Sequence, residues 1–153
     1  MPSPDASKTP RQRWMAVLAR ASAAEIMPLL NALPELPSHI RLRGPEPGMV
    51  MVRGRAGGGG EAFNLGEMCV TRCTVRDSDG RVGHAYVAGR DTAQSELAAR
   101  LDALLQDGVW HDRIESAVIA PLAHGQAERL AADARKAAAT RVKFFTLSNM
   151  RTT

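Results

Sequence analysis

The spacing of apolar residues changes twice along this chain. Between residues 40 and 88 they tend to alternate in steps of two, and on either side they recur every third or fourth position. A period of two sorts side chains onto opposite faces of a strand, and a period near 3.6 lines up one face of a helix. Consecutive strands bracketed by helices argue against the β–α alternation of a parallel sheet and predict an α+β domain.

Local chemistry fills in the elements. Residues 1–8 hold Pro, Ser and Asp without an apolar pattern and read as a disordered arm. Thr9, Pro10 and Gln12 have the order of a capped helix start, followed by Trp14, Val17, Leu18 and Ala21 at helical spacing. Ser22 and Glu25 form a second capping box before Ile26, Leu29, Leu30 and Leu33. Pro28 is expected to delay or kink that helix, and Pro34 and Pro37 to end it. Four strands are expected next, at 40–43, 49–53, 68–76 and 82–88. Turns are expected at Gly44–Gly48 and at Asp79-Gly80, the second as a two-residue type I′ hairpin. Gly57, Gly58, Gly59 and Gly60 interrupt the series, followed by an extended stretch from Phe63. Asp91, with Gln94 in the reciprocal position, caps a helix whose stripe is Leu97, Leu101, Leu104 and Leu105 and which Gly108 stops. Residues 110–121 read as a connector with at most a short helical turn, 122–140 as an Ala-rich helix and 142–147 as a last strand or extended tail. The expected fold is an antiparallel four-strand meander flanked by N-terminal and C-terminal helices, with a C-terminal extended tail. It divides into an arm at 1–8, a single domain at 9–148 and a tail at 149–153.

Charge and composition narrow the function classes. No apolar run is long enough to span a membrane, and MPSPDASKTP lacks the apolar core of a secretory signal, which points to the cytoplasm and away from a membrane. The net charge of +4 comes from 17 Arg against 3 Lys. Two readings stay open: compositional bias, or a surface that meets phosphate or an acidic partner through guanidinium forks. The arginines are scattered and aromatics make up only 4%, which argues against nucleic acid as a partner.

No self-sufficient catalytic set stands out. Gly57–Gly60 lead into Glu61 and Ala62, so neither the Gly-Lys-Ser/Thr of a P-loop nor a strand-to-helix G-x-G-x-x-G is met. A hairpin tip or a close backbone approach to a partner is the plainer reading. Cys69 and Cys73 on one strand lie roughly 13 Å apart, beyond the ~7 Å reach of a disulfide. His39, His84, His111 and His124 share no metal-ligand spacing, so no metal is expected. A two-residue turn at Asp79-Gly80 pairs Val75 with His84 and Cys73 with Tyr86. It gathers Cys69, Thr71, Cys73, Val75, Tyr86 and Ala88 on a face suited to burial. The opposite face then holds Arg72 and Arg76 over Val70, Ala85 and Val87, beside Gly83 and Gly89. Arginines over small residues make Arg72 and Arg76, with Gly57–Gly60, the candidate partner- or anion-facing positions; a solvated sheet face is the plain alternative.

Five blocks carry a resemblance to a known family: RQRWMAVLARAS at 11–22, GEAFNLGEMCVTRCTVR at 60–76, GHAYVAGRDTAQSELAARLDALLQ at 83–106, ESAVIAPL at 115–122 and RVKFFTL at 141–147. In this order and spacing the chain resembles the PhnG family, an accessory subunit of the bacterial carbon–phosphorus lyase core complex. The resemblance implies assembly with PhnH, PhnI and PhnJ, and joint action with the ATPase-like PhnL. It implies that the assembly uses ATP and methylphosphonate, releases adenine and forms ribose 1-methylphosphonate 5-triphosphate. PhnI is credited with the nucleosidase chemistry, and the later radical cleavage belongs to PhnJ and its iron–sulfur cluster. No cofactor of its own and no catalytic residue is implied for this chain. An accessory subunit needs partner surface, which the seven methionines, the sheet face and Phe144-Phe145 are candidates to supply. The competing expectation is a free-standing phosphate- or nucleotide-binding module built on the glycine run and the arginines.

Overall fold

The computed structural model describes residues 8–55 and 60–141. Its element order is α1 (Pro10–Leu18), α2 (Ala23–Leu30), β1 (His39–Gly54), β2 (Phe63–Asp77), β3 (Val82–Ala88), α3 (Thr92–Leu104), α4 (Gly108–Ile114), a π-helical turn (Glu115–Ile119) and α5 (Ala120–Ala139). Apart from Lys8, the expected N-terminal arm lies outside the described residues, as do Gly57–Gly59, the 142–147 segment and the 149–153 tail.

The two N-terminal caps form as the sequence dictates. Thr9 and Ser22 accept from the backbone N–H of Gln12 and Glu25, whose side chains return the bond to the cap backbone. Helix α2 starts directly after Ser22 and carries Pro28 inside it, so the proline does not delay its start. It ends at Leu30, before Pro34 is reached.

The sheet is antiparallel with order β1-β2-β3, three strands where four were expected. The predicted strands at 40–43 and 49–53 are one strand, because Gly44–Gly48 makes no reversal. The extra residues are absorbed in register shifts between Arg41 and Arg43 and between Arg43 and Glu46, and the strand stays paired with β2 on both sides. A bulge uses the same Gly and Pro vocabulary as a turn.

The β2–β3 hairpin is also shifted by one residue from the expected register. Val75 pairs with Gly83, Cys73 with Ala85, Arg72 with Tyr86 and Thr71 with Val87. The reason is Asp77. Its N–H donates to Arg81 O (3.0 Å), and its Oδ1 accepts from Asp79 N–H (3.0 Å) and Arg81 N–H (2.8 Å). That closes a three-residue loop, Ser78-Asp79-Gly80, with Gly80 at φ +88°. The shift turns half of the predicted faces over: Ala85 and Val87 join Thr71, Cys73 and Val75 in the interior, and His84, Tyr86 and Ala88 face outward.

Helix α3 covers the inner face of the sheet. Its Ala98, Ala99, Leu101, Ala103 and Leu104 are buried, and the core continues into Trp14, Leu18, Ile26, Ile114, Val118 and Leu122 of the other helices. Gly83 is where α3 comes nearest: a Cβ there would stand 1.9 Å from Ala99 O and 2.5 Å from Ala103 N. The space that the small residues leave is therefore filled by the chain's own helix. Asp91 caps α3 by accepting from Gln94 N–H (2.9 Å). Gln94 does not return the bond; its Nε2 donates to Leu18 O and Ala19 O, closing the end of α1 (3.4 and 3.2 Å).

Residues 108–139 form one continuous helical run, so the 110–121 segment, expected as a connector with at most a short helical turn, is helical throughout. Gly108 opens α4 rather than stopping α3, with Asp107 as cap accepting from Val109 N–H and Trp110 N–H. The run passes Pro121 through the π turn, where Ala120 N–H donates five residues back to Glu115 O. One wider turn just before a residue without an N–H lets the helix continue. Its last part, the Ala-rich α5, lies close to the expected 122–140 helix.

Candidate functional site

The outer sheet face is built in rows by the register. Ile40, Arg76 and Val82 form one row, Arg43, Thr74 and His84 the next, and Glu46, Arg72 and Tyr86 the third. Arg72 and Arg76 thus do share the outward face. Arg72 is engaged by the neighbouring strand: its Nε donates to Glu46 Oε1 (2.8 Å), which also accepts from Arg43 Nε (2.8 Å). The Arg43 hydrogen bond, and next the Arg72 one, hold the Glu46 carboxyl below its ordinary value. Arg76 is exposed beside the exposed Ile40. Thr74 Oγ1 lies 3.2 Å from His84 Nδ1, and Tyr86 lies outward beside Arg72.

Of the four candidate glycines, Gly60 is described and does not join these arginines. Gly57, Gly58 and Gly59 lie outside the described residues. Gly60, at φ +99°, precedes Phe63 at the far end of β2, nine residues or roughly 30 Å along the strand from Arg72. Cys73 is buried, and that burial pushes its thiol above the ordinary value. Among the described residues no group of three or more His, Cys, Asp or Glu side chains is placed to hold a metal ion.

What the sheet adds to the expected surface is a ribbon. Beyond Ala88 strand β3 ends, and β1 and β2 continue as a two-stranded arm from about Met49–Gly54 and Phe63–Cys69. Met49 pairs with Cys69 and Met51 with Glu67 on one face, Val50 with Met68 and Val52 with Gly66 on the other. The arm projects past the third strand, and both its faces carry uncovered large apolar residues. Met49, Met51, Phe63 and Leu65 are between 48% and 60% exposed, and Val50 and Met68 are exposed as well. A two-stranded ribbon has little stability of its own, and exposed apolar surface of this density makes it a candidate docking surface. Methionine adapts its shape to a partner at low strain. The methionines were legible as candidate partner surface; their assembly on one ribbon was not, because the 49–53 segment read as an ordinary return strand.

The comparisons with known proteins agree with the resemblance in the blocks quoted above. A family model described as phosphonate metabolism protein PhnG matches residues 9–150. The α-D-ribose 1-methylphosphonate 5-triphosphate synthase subunit PhnG of Rhizobium meliloti (strain 1021) is 46% identical over 149 residues, which is 95% of this chain and 92% of that protein. With most of its length matched by both, this chain belongs to the PhnG family of phosphonate metabolism proteins.

Proposed function

We propose that this chain is an accessory subunit of an α-D-ribose 1-methylphosphonate 5-triphosphate synthase in organic phosphonate catabolism, docking to its co-subunits through the β1–β2 arm. The observation that carries the docking role is the arm itself, a ribbon with exposed apolar residues on both faces that no described element covers. The co-subunits are PhnI, PhnH and PhnJ, with PhnL acting alongside, in the cytoplasm. ATP and methylphosphonate are substrates of the assembly, adenine leaves, and the chemistry is completed by residues of another polypeptide. Arg72 and Arg76 extend the docking surface along the outer sheet face. The 46% identity to a synthase subunit over almost the whole of both chains supports this reading.

Co-expression with the other synthase subunits and affinity capture tests it. Met51→Glu with Met68→Glu places a charge on each face of the arm without touching the core. The double variant is expected to drop out of the captured complex while keeping the melting temperature of the isolated wild-type chain. Capture at the wild-type ratio would remove the arm from the interface. Adenine release from ATP and methylphosphonate by the purified chain alone would overturn the accessory role.

A further inference from the structure

Strand β3 is an outer strand of the sheet, and its free side is only half closed. Gly89 N–H donates to Cys69 O (2.9 Å). In the alternation of an antiparallel pair, the odd-numbered residues of β3 therefore bond to β2 and the even-numbered ones turn their backbone groups outward. Two outward groups are taken by side chains: Val82 O accepts from Gln106 Nε2 (2.9 Å), and His84 N–H donates to the buried Asp102 (2.9 Å). The next four, His84 O, Tyr86 N–H, Tyr86 O and Ala88 N–H, have no partner among the described residues. Sheet edges are commonly protected by charge, proline or a bulge. The other outer strand, β1, has all three, in Arg41, Arg43, Pro45, Pro47 and its register shifts. Strand β3 carries no charged residue and no proline from Val82 to Ala88.

The helices leave room beside this edge. Helix α3 lies under β2 and β3, and α1 flanks α3 on the free side of β3, where Arg11 and Trp14 meet Asp102. Between α1 and β3 is a hollow of about 220 Å³, lined by Met15, Ala16 and Ala19 of α1, Ala85 and Val87 of β3 and Ala98 of α3. No Asp, Glu, Lys or Arg lines it. The helical layer thus extends past the sheet above it, and the unpaired backbone groups stand over that extension. An antiparallel β3 from a second copy would bring its own α3 into the place of α1, so the space fits a single strand and not a second sheet. The chain's own end is badly placed to supply that strand. Helix α5 meets α1 where Gln126 bonds Val17 O (2.9 Å) and runs roughly 20 Å further to Ala139, so the chain leaves it well away from the hollow.

We infer that the free side of β3 receives one extended segment of another polypeptide of the assembly, which joins the sheet as a fourth strand through Tyr86 and turns uncharged apolar side chains into the hollow over α1. Main-chain bonds would hold the segment and the hollow would select its side chains. The inference rests on the accessory role proposed above, and its surface is distinct from the arm. Single-residue amide exchange is measured on the isolated full chain and on the complex co-purified with the other synthase subunits. In the isolated chain the Tyr86 and Ala88 amides are expected to exchange fast, alternating with the protected Ala85 and Val87 amides. In the complex both are expected to slow by about tenfold or more, the scale of one added hydrogen bond each. Slow Tyr86 and Ala88 amides in the isolated chain overturn the inference, because the chain's own residues or a second copy then hold the edge. Fast ones in a formed complex overturn it and leave the accessory role standing; failure to form any complex removes both. Tyr86→Pro separates strand addition from side-chain contact. Proline lacks the N–H and is tolerated where that group faces away from the ladder. The variant is therefore expected to keep its melting temperature when isolated and to be captured less than wild type. Tyr86→Thr, which keeps the N–H and loses the ring, is expected to be captured like wild type. Equal capture of the proline variant, or equal loss of both variants, overturns the inference.

Discussion

Gly83 and Asp102 hold α3 against β3 in two different ways. Gly83 supplies absence: the backbone of Ala99 and Ala103 occupies the place a methyl group would take. Gly83→Ala must therefore push helix and strand apart, and overpacking of this kind costs about 1–3 kcal/mol. A fall in the urea midpoint with an unchanged slope is the expected measurement. Asp102 supplies presence. Fully buried on α3, it accepts from Arg11 Nε and Nη2 (3.1 and 2.7 Å), Trp14 Nε1 (2.9 Å) and His84 N–H (2.9 Å). One carboxylate thus joins α1, α3 and β3, and its hydrogen bond raises the Arg11 guanidinium further. Asp102→Ala leaves two N–H donors and a cation behind. The Arg11 side chain is 39% exposed and can turn to water, but a buried donor left unsatisfied costs about 1–3 kcal/mol, so thermal unfolding of this variant is expected below that of the wild type.

Among the strands, the arm of β1 and β2 packs against little besides its own ladder. The upper part of the sheet is backed by α3 and closed by β3, whereas the arm has only its own ladder between two exposed faces. Local opening free energies follow burial and contact density. Backbone amides of Val50–Val52 and Leu65–Met68 are therefore expected to exchange faster in the isolated chain than those of Thr71–Val75. On assembly they are expected to become protected, while the Thr71–Val75 amides change little. Equal exchange in the free chain would show that the ribbon is already covered. The π turn is the complementary case, an irregularity that preserves an element: by widening one turn at Glu115–Ile119 the chain carries α4 into α5 across Pro121.

Across the whole molecule, acid is the stress to which the charge network responds. Four carboxyls are held below their ordinary values. The chief causes are the Ser22 backbone for Glu25, Arg43 for Glu46, Arg41 for Glu96 and the Val109 backbone for Asp107. Each ionises more readily folded than unfolded, so the folded chain binds fewer protons in acid. Their stabilisation is complete above the ordinary glutamate value of 4.5 and is lost as pH falls through the depressed folded values. Glu96 is the best placed to be seen, since it bridges sheet and helix by accepting from Arg41 Nε and Nη2 (2.7 and 2.8 Å) with His39 Nε2 at 3.0 Å. Glu96→Gln is expected to make the stability–pH curve shallower below 4.5 and to leave its neutral limb parallel to wild type. An acid limb of unchanged steepness would exclude Glu96 as a contributor.

Short-range chemistry was legible in the chain. The Thr9 and Ser22 capping boxes, the Asp91 cap, the Leu101–Leu105 stripe, the α+β class and the inward set Thr71, Cys73 and Val75 all follow from neighbours within a few residues. Family membership rests on blocks spread over most of the length, and that too is written in one dimension. What only the tertiary structure decided are choices between local options of similar cost. Gly44–Gly48 bulges rather than turns because β2 runs past it as a continuous partner. The hairpin register follows an Asp77 side chain that bonds two residues beyond the strand, and one residue of slip sends Ala85 and Val87 inward and Tyr86 outward. Gln94 leaves its own helix cap for the end of α1, brought within reach by packing. The arm depends on where β3 stops beside β1 and β2, and no window of sequence carries contacts between residues so far apart.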